Sequence, residues 1–329
     1  MPDEDRHPGH ELVSIIMPAY NVRSFVAEAV NTLHSQSWEN LELIIVDDGS
    51  TDGTLEELHR LAQGWSGDGR QMNVISQANA GAGSARNTGL AAARGRVVGF
   101  FDADDRCDAD CVEKLATALL NAPDVDIAFP QYRTISTAGV VVDDPAPMVA
   151  RRMTLSELAQ ENIIHSPLIR KDAARAAEGF DPGLTACIDF DFYLKIAAQR
   201  AGNILMIGDT CADYRRREGQ ITSDWRRMEM NWMTVMNKPV VRSKLSDGQF
   251  SRARGRNCLY WSTLAYQSGD YSAARRLAFE MWRRAPRFAL TDRHAIIRTL
   301  AGLTALLPGP VHDRIRRGFN SACGAADPE

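Results

Sequence analysis

Four times in its first 121 residues the chain repeats one unit: a short apolar run, a loop of small and polar residues, then a stretch with apolar positions at three- and four-residue spacing. The runs are 13–20 (VSIIMPAY), 42–47 (ELIIVD), 72–77 and 97–102 (VVGFFD); the helical stretches are 23–36, 54–63, 84–93 and 110–121. In the first helix Phe25, Val26, Ala29, Val30 and Leu33 form the stripe that packs on a sheet. Strands joined through helices cannot pair as hairpins, so the pattern demands a mostly parallel, Rossmann-like α/β sheet covered by helices on both faces. Ligands of such sheets bind beyond the carboxyl ends of the strands. The informative residues are therefore those that follow each apolar run.

After residue 125 the regularity weakens. A strand at 125–132, a hairpin arm at 139–144, a helix near 154–161 and a strand at 164–170 are expected, followed by an amphipathic helix from Asp189 to about Arg200 with Phe192, Leu194, Ile196 and Ala197 on its apolar side. Residues 225–300 read as helices. Within them Cys258 to Pro286 resembles a single tetratricopeptide-like hairpin, turning at Ser268-Gly269-Asp270. The expected organisation is a flexible segment 1–11, an α/β domain 12–220 and a helical C-terminal region 221–329.

Composition excludes several classes. With 44% hydrophobic and 24% charged residues, 24 Gly and 14 Pro, the chain is neither disordered nor collagenous. No window approaches the ~18–20 apolar residues of a bilayer crossing, and the polar start MPDEDRHPGHE lacks a signal-peptide core, so a cytoplasmic protein is expected. Six scattered cysteines lack zinc-site spacing, and Cys107 with Cys111 reads as incidental. The net charge of −4 hides a split: residues 215–329 hold 21 Lys+Arg against 10 Asp+Glu, and residues 1–214 hold 17 against 32. Nothing in it calls for a nucleic-acid partner. The basic third is either a solvated face or a peripheral contact for anionic lipid at the inner face of the membrane, and the amphipathic stretch Ile296 to Ile315 either docks there or packs on the first domain.

Each strand is followed by polar chemistry: Pro18-Ala-Tyr20-Asn21, then Asp47-Asp48-Gly49-Ser50, then Asn79 to Asn87, then Asp102-Ala-Asp104-Asp105. Ser50 or Asp52 suits a helix cap, whereas Asp47 and Asp48 at a strand tip can accept hydrogen bonds from a base or ribose. Asp102, Asp104 and Asp105 crowd three negative charges into four residues, and a divalent cation, Mn²⁺ or Mg²⁺, is the economical way to neutralise them. The glycine-rich loop 80–83, ahead of Arg86 and Asn87, lets backbone amides approach phosphate. It is not a dinucleotide fingerprint, because it follows the third strand and lacks that spacing. Asp189 and Asp191 either cap the helix they open or carry chemistry. His165 and Trp225 read as packing residues, and no Ser/His/Asp or Cys/His order suggests a nucleophile.

The ordered set PAYN (18–21), VDDGSTDGT (46–54), NAGAGSARNTGL (79–90) and FFDADD (100–105) resembles the family 2 glycosyltransferases over about residues 12–215. The resemblance implies a GT-A fold and inverting transfer of a sugar, of the hexosyl type, from a nucleoside-diphosphate donor, with uracil as the implied base. The implied acceptor is a carbohydrate or lipid-linked hydroxyl, in polysaccharide or glycoconjugate synthesis. It implies Pro18, Tyr20 and Asp48 as walls of the nucleotide pocket, Asp47 in support, and Arg86 near the base or phosphates. Asp104 becomes the direct metal ligand, Asp102 a ligand or a contact to the ribose or donor sugar, Asp105 an auxiliary, and Arg215 a phosphate contact in the basic segment 214–220. The family's Glu-Asp pair matches Ile188 and Asp189, which makes Asp189 the catalytic base and Asp191 the alternative. Two other functions stay open: a nucleotide-sugar-binding protein without transfer activity, for which Ile188 speaks, and a sugar-phosphate nucleotidyltransferase, against which the absence of an N-terminal glycine-rich basic loop speaks.

Overall fold

The computed structural model describes residues 11–65, 70–146, 148–161, 165–217 and 219–291. The stretch Ile296 to Ile315 and the segment 1–10 lie outside the described residues. The chain forms two compact units: one holds the described residues up to Thr154 and from 165 to Arg217, the other those of 155–161 and from 219 onward. The helical segment near 155 thus groups with the C-terminal helices rather than with the α/β domain in which the sequence expectation put it.

The first unit opens as the repeat requires. β1 (Val13–Ala19), α1 (Arg23–His34), β2 (Leu41–Asp47), α2 (Thr54–Gln63), β3 (Gln71–Ser76), α3 (Ala82–Ala92) and β4 (Val97–Phe100) alternate, and the strands pair in parallel in the order β3-β2-β1-β4. Val13, Ile15 and Met17 of β1 enter a core with Val26, Ala29, Val30 and Leu33 of α1. On the opposite face Ile16 meets α3, where a Cβ on Gly89 would stand 2.4 Å from the Ile16 Cγ2 atom, so only glycine lets this helix lie so close. β5 (Arg106–Cys107) and α4 (Cys111–Leu120) follow, then β6 (Ile127–Ile135), the arm β7 (Val141–Asp143) and β8 (Arg151–Met153).

α5 (Leu155–Leu158) belongs to the second unit, after which the chain returns with β9 (Leu168–Arg170), α6 (Lys171–Ala176), α7 (Ile188–Ala197) and β10 (Ile204–Arg215). β9 runs antiparallel between β4 and β6, while β10 pairs in parallel with β6 and antiparallel with β5 and β8. β10 escapes a pattern-based reading because ILMIGDTCADYR carries Gly208 and two aspartates inside a strand. Arg106 and Arg133, at 2.9 and 2.6 Å from the Asp213 carboxylate, make that buried charge tolerable. β10 also brings Cys211 beside Cys111, their sulfurs 2.8 Å apart, so the cysteines are not as scattered as their spacing implies. Burial first, and hydrogen bonding with Cys107 and Cys211, pushes the Cys111 thiol well above its usual range, which keeps it protonated.

The second unit is helical: α5, α8 (Trp225–Met236), α9 (Pro239–Arg242), α10 (Asp247–Gln267), α11 (Tyr271–Arg284) and α12 (Pro286–Thr291). Ser246 and Gln249 form a reciprocal capping box at the start of α10, and Asp270 caps α11 by accepting from the Ala273 amide at 3.0 Å. α10 and α11 make the hairpin expected around Ser268–Asp270. Trp225 is buried in α8. No described helix is long and apolar enough to cross a membrane.

Candidate functional site

The loops after β1, β2 and β3 are laced to one another. Ser50 does not cap α2; its Oγ accepts from the Asn21 amide at 3.0 Å, and the Asn21 Oδ1 accepts from the Thr51 amide at 2.8 Å. Asp52 accepts from the amides of Arg23 and Thr54. Gly49 takes φ +75°, and a Cβ there would stand 2.9 Å from the Asn79 amide nitrogen. The glycine-rich loop delivers its amides to protein: Ala80 and Gly81 N–H donate to the Asp48 carboxylate at 2.9 and 2.8 Å, and Gln77 Nε2 donates to it at 2.8 Å. Asp48 is thus a buried tie between loops. Asp47 is also buried; its Oδ2 accepts from the Ser50 amide at 3.3 Å, while its Oδ1 has no hydrogen-bond donor among the described residues. Pro18 closes the β1 end, and Tyr20 presents a ring that is 49% exposed at the rim.

Beyond β4 the turn 102–105 closes with the Asp105 amide donating to the Asp102 carbonyl at 3.2 Å. Its three carboxylates part company. Asp102 accepts from Arg86 Nη2 at 2.6 Å, Asp104 accepts from Arg217 Nε at 2.6 Å, and Asp105 accepts from the Arg215 amide at 2.8 Å. The repulsion that called for a cation is therefore partly relieved by the protein's own arginines. His165 completes the group: its Nδ1 lies 3.6 Å from the Asp105 Oδ2, and its ring packs on Tyr214, tilted by 31° with centroids 4.3 Å apart. One donor atom each from Asp102, Asp105 and His165 lies within 4.8 Å of the others. Asp104, expected as the direct ligand, is not in that triad, because the turn carries its carboxylate to Arg217.

The electrostatics follow from burial and neighbours. Burial raises the Asp102 carboxyl, but Arg86, His165 and Arg217 outweigh it and hold the group below its usual value. Burial, then the charges of Asp104 and Asp102, pushes Asp105 well up. Burial holds His165 below its usual value against the pull of Asp102, Asp189 and Asp104, which keeps the imidazole neutral and able to ligate near pH 7. Two carboxylates and a neutral imidazole form a donor set that fits a divalent cation. Sequence reasoning passed over His165 because a lone histidine beside an apolar strand carries no local signal; only the partners brought by β4 and β10 give it one.

Asp189 and Asp191 separate clearly. Asp189, in the first turn of α7, is half-buried and close enough to Arg86, His165 and Tyr193 to act on each electrostatically. Burial, then the Asp189 charge, pushes the Tyr193 hydroxyl well above its usual range. Asp191 is 0% exposed, with Lys195 Nζ 3.4 Å from its carboxylate, and has no face open to a substrate. Ile188 packs at α3, where a Cβ on Gly83 would lie 3.2 Å from its Cγ2 atom. Arg86 also stacks over Phe180, which stacks in turn on Phe192 of α7, so α3 and α7 hold Arg86 and Asp189 in one place. Arg215, expected to contact phosphate, is instead 1% exposed and bonded inward.

The architecture defines a class before it defines a family. S. aureus TarS (residues 1–349), solved with UDP-GlcNAc, superposes with a TM-score of 0.61 at 19% identity over 93% of this chain and 92% of that one. Mannosyltransferase PcManGT from Pyrobaculum calidifontis, solved with GDP-Man and Mn²⁺, gives a TM-score of 0.59 at 19% identity, covering 98% and 86%. The fold is that of the GT-A glycosyltransferases, with a helical C-terminal region. Residues 14–174 match the sequence model of Glycosyl transferase family 2, so this segment carries a domain of that family. Chondroitin synthase of Pasteurella multocida is 27% identical over 253 residues, 75% of this chain but 25% of that protein, so the chain spans about a quarter of this relative's length.

Proposed function

We propose that the protein transfers a hexosyl group, with inversion, from a uridine diphosphate sugar to a hydroxyl of a growing polysaccharide or glycoconjugate. The observation that carries this reading is the convergence of Asp189, Arg86, Asp102 and His165, from separate elements, at one end of the sheet. Asp189, the one helix-α7 carboxylate with an open face, takes the proton of the acceptor hydroxyl as that oxygen attacks the anomeric carbon, and the nucleoside diphosphate leaves from the opposite face. Tyr20 covers the base at the rim, and the unpartnered Oδ1 of Asp47 accepts an N–H from it. Arg86 holds Asp102 in place beside the reacting sugar. When bound, a divalent cation neutralises charge on the departing diphosphate, and Asp102, Asp105 and His165 are the residues that would hold it. An imidazole in the set suits Mn²⁺ better than Mg²⁺.

Donor chemistry is supported by the nucleotide sugars bound to the two structural neighbours, and a polysaccharide acceptor by the chondroitin synthase relative. The test is calorimetric titration of nucleoside diphosphates and their sugars, with and without Mn²⁺, into wild type and Asp102→Ala. Metal-dependent binding of a uridine nucleotide, lost in the variant, is expected. Well-folded wild type that binds no nucleotide sinks the reading, and binding without any turnover leaves a nucleotide-sugar-binding protein.

A further inference from the structure

We infer that Arg215, braced by Glu28 of α1, is a positioning residue that sets the affinity of the carboxylate turn for its cation, rather than a contact to the donor phosphates. This rests on the transferase reading above. The Arg215 guanidinium is almost wholly enclosed, and its bonds run to the turn and its surroundings. Nε donates to the Asp104 carbonyl at 2.6 Å, Nη1 to the Thr137 carbonyl at 2.9 Å, and Nη2 to the Glu28 Oε2 at 2.6 Å. Its backbone amide donates to the Asp105 Oδ1 at 2.8 Å. One residue therefore holds Asp104 by its main chain and Asp105 by its side chain, and both must be fixed for the donor triad to keep its spacing.

Two residues of α1 brace the arginine. Phe25 lies beneath it, 5.3 Å from guanidinium carbon to ring centroid, and the same ring carries Arg217 at 5.8 Å. Phe25, which falls in the apolar stripe of α1 but is not among the buried residues of that helix, thus meets these two arginines. Glu28 accepts from Arg215 through one oxygen and from Arg106 Nη1, at 3.0 Å, through the other. Arg106 follows the turn directly and donates to Asp213, two residues before Arg215 on β10. Glu28 thereby couples the two arginines that flank the turn in sequence and in the sheet. The three guanidinium nitrogens, fixed in one plane, make these bonds in three separate directions, which the single nitrogen of a lysine cannot reproduce. Groups that orient metal ligands in this way commonly account for 10- to 100-fold in metal affinity.

The experiment is Mn²⁺ titration of the full chain in the presence of UDP, followed by the paramagnetic signal of free Mn²⁺, for wild type, Arg215→Lys and Glu28→Ala. Both substitutions are expected to weaken Mn²⁺ binding by about 10- to 100-fold. UDP binding and transfer should return towards wild type at excess Mn²⁺, because the ligands themselves remain. Glu28 is 45% exposed, so its variant stays informative if Arg215→Lys does not fold. Unchanged Mn²⁺ affinity in a folded variant overturns the inference. So does a loss of UDP affinity that saturating Mn²⁺ does not restore, which is the mark of a phosphate contact. Wild type that binds neither Mn²⁺ nor UDP overturns the transferase reading itself, and is told apart by failing before any variant is compared.

Discussion

Asp189 and Asp191 stand two positions apart on one helix, and that spacing places them on different sides of it. The first turn of α7 keeps Asp189 among Arg86, His165 and Tyr193, whereas Asp191 turns into the core against Lys195. Replacing Asp189 by Asn keeps shape and hydrogen bonding but removes proton affinity. Asp189→Asn is expected to lower turnover by about 10²- to 10⁴-fold while the calorimetric affinity for the donor nucleotide changes little. A variant that binds donor poorly would assign Asp189 to substrate positioning instead. The motif resemblance ranked Asp189 before Asp191 by position alone; the physical difference between them depends on what packs around the helix. Asp48 and Arg215 make the same point: each is the right residue type at the right motif position, yet the fold spends both on protein partners.

Among the elements, the β1–β2 pair shows how one buried charge joins three of them. Glu42 of β2 accepts from the Ser14 hydroxyl of β1 and from the amide and guanidinium of Arg94, just after α3. Burial raises the Glu42 carboxyl, but these bonds outweigh it and hold it below its usual value. A carboxylate depressed in the folded state contributes stability that is present above its unfolded pKa of about 4.3 and is lost as pH falls through the folded value. Glu42→Gln is therefore expected to cost about 1.5–3 kcal/mol near pH 7, the range for hydrogen bonds to a charged group, and less below pH 4. Urea midpoints at both pH values measure this, and a cost that does not change with pH would contradict it. The alternation of the first four strands and helices was legible because each is an apolar run or stripe. β10 was not, since its aspartate is neutralised by arginines from β5 and β6 that a local window cannot see.

For the molecule as a whole, a ligand that binds only the folded α/β unit must stabilise it by mass action. UDP with Mn²⁺ at 100 times its dissociation constant should add about 2.7 kcal/mol. For a unit of about 200 residues that is a rise in melting temperature on the order of 5–10 °C, absent in Asp102→Ala; equal shifts in both would place the ligand elsewhere. The sequence by itself determined the parallel part of the sheet, β3-β2-β1-β4, and the end of it at which the polar loops gather, because hydrophobic periodicity is local and a strand–loop–helix repeat admits one arrangement of its polar loops; the antiparallel pairings of β9 and β10 were not readable from it. Only the tertiary structure decided which carboxylates face one another, that His165 joins Asp102 and Asp105, and that Glu28 meets Arg215 across 187 residues. Those are contacts between elements distant in the chain, fixed by strand order and packing, and no spacing within the sequence encodes them.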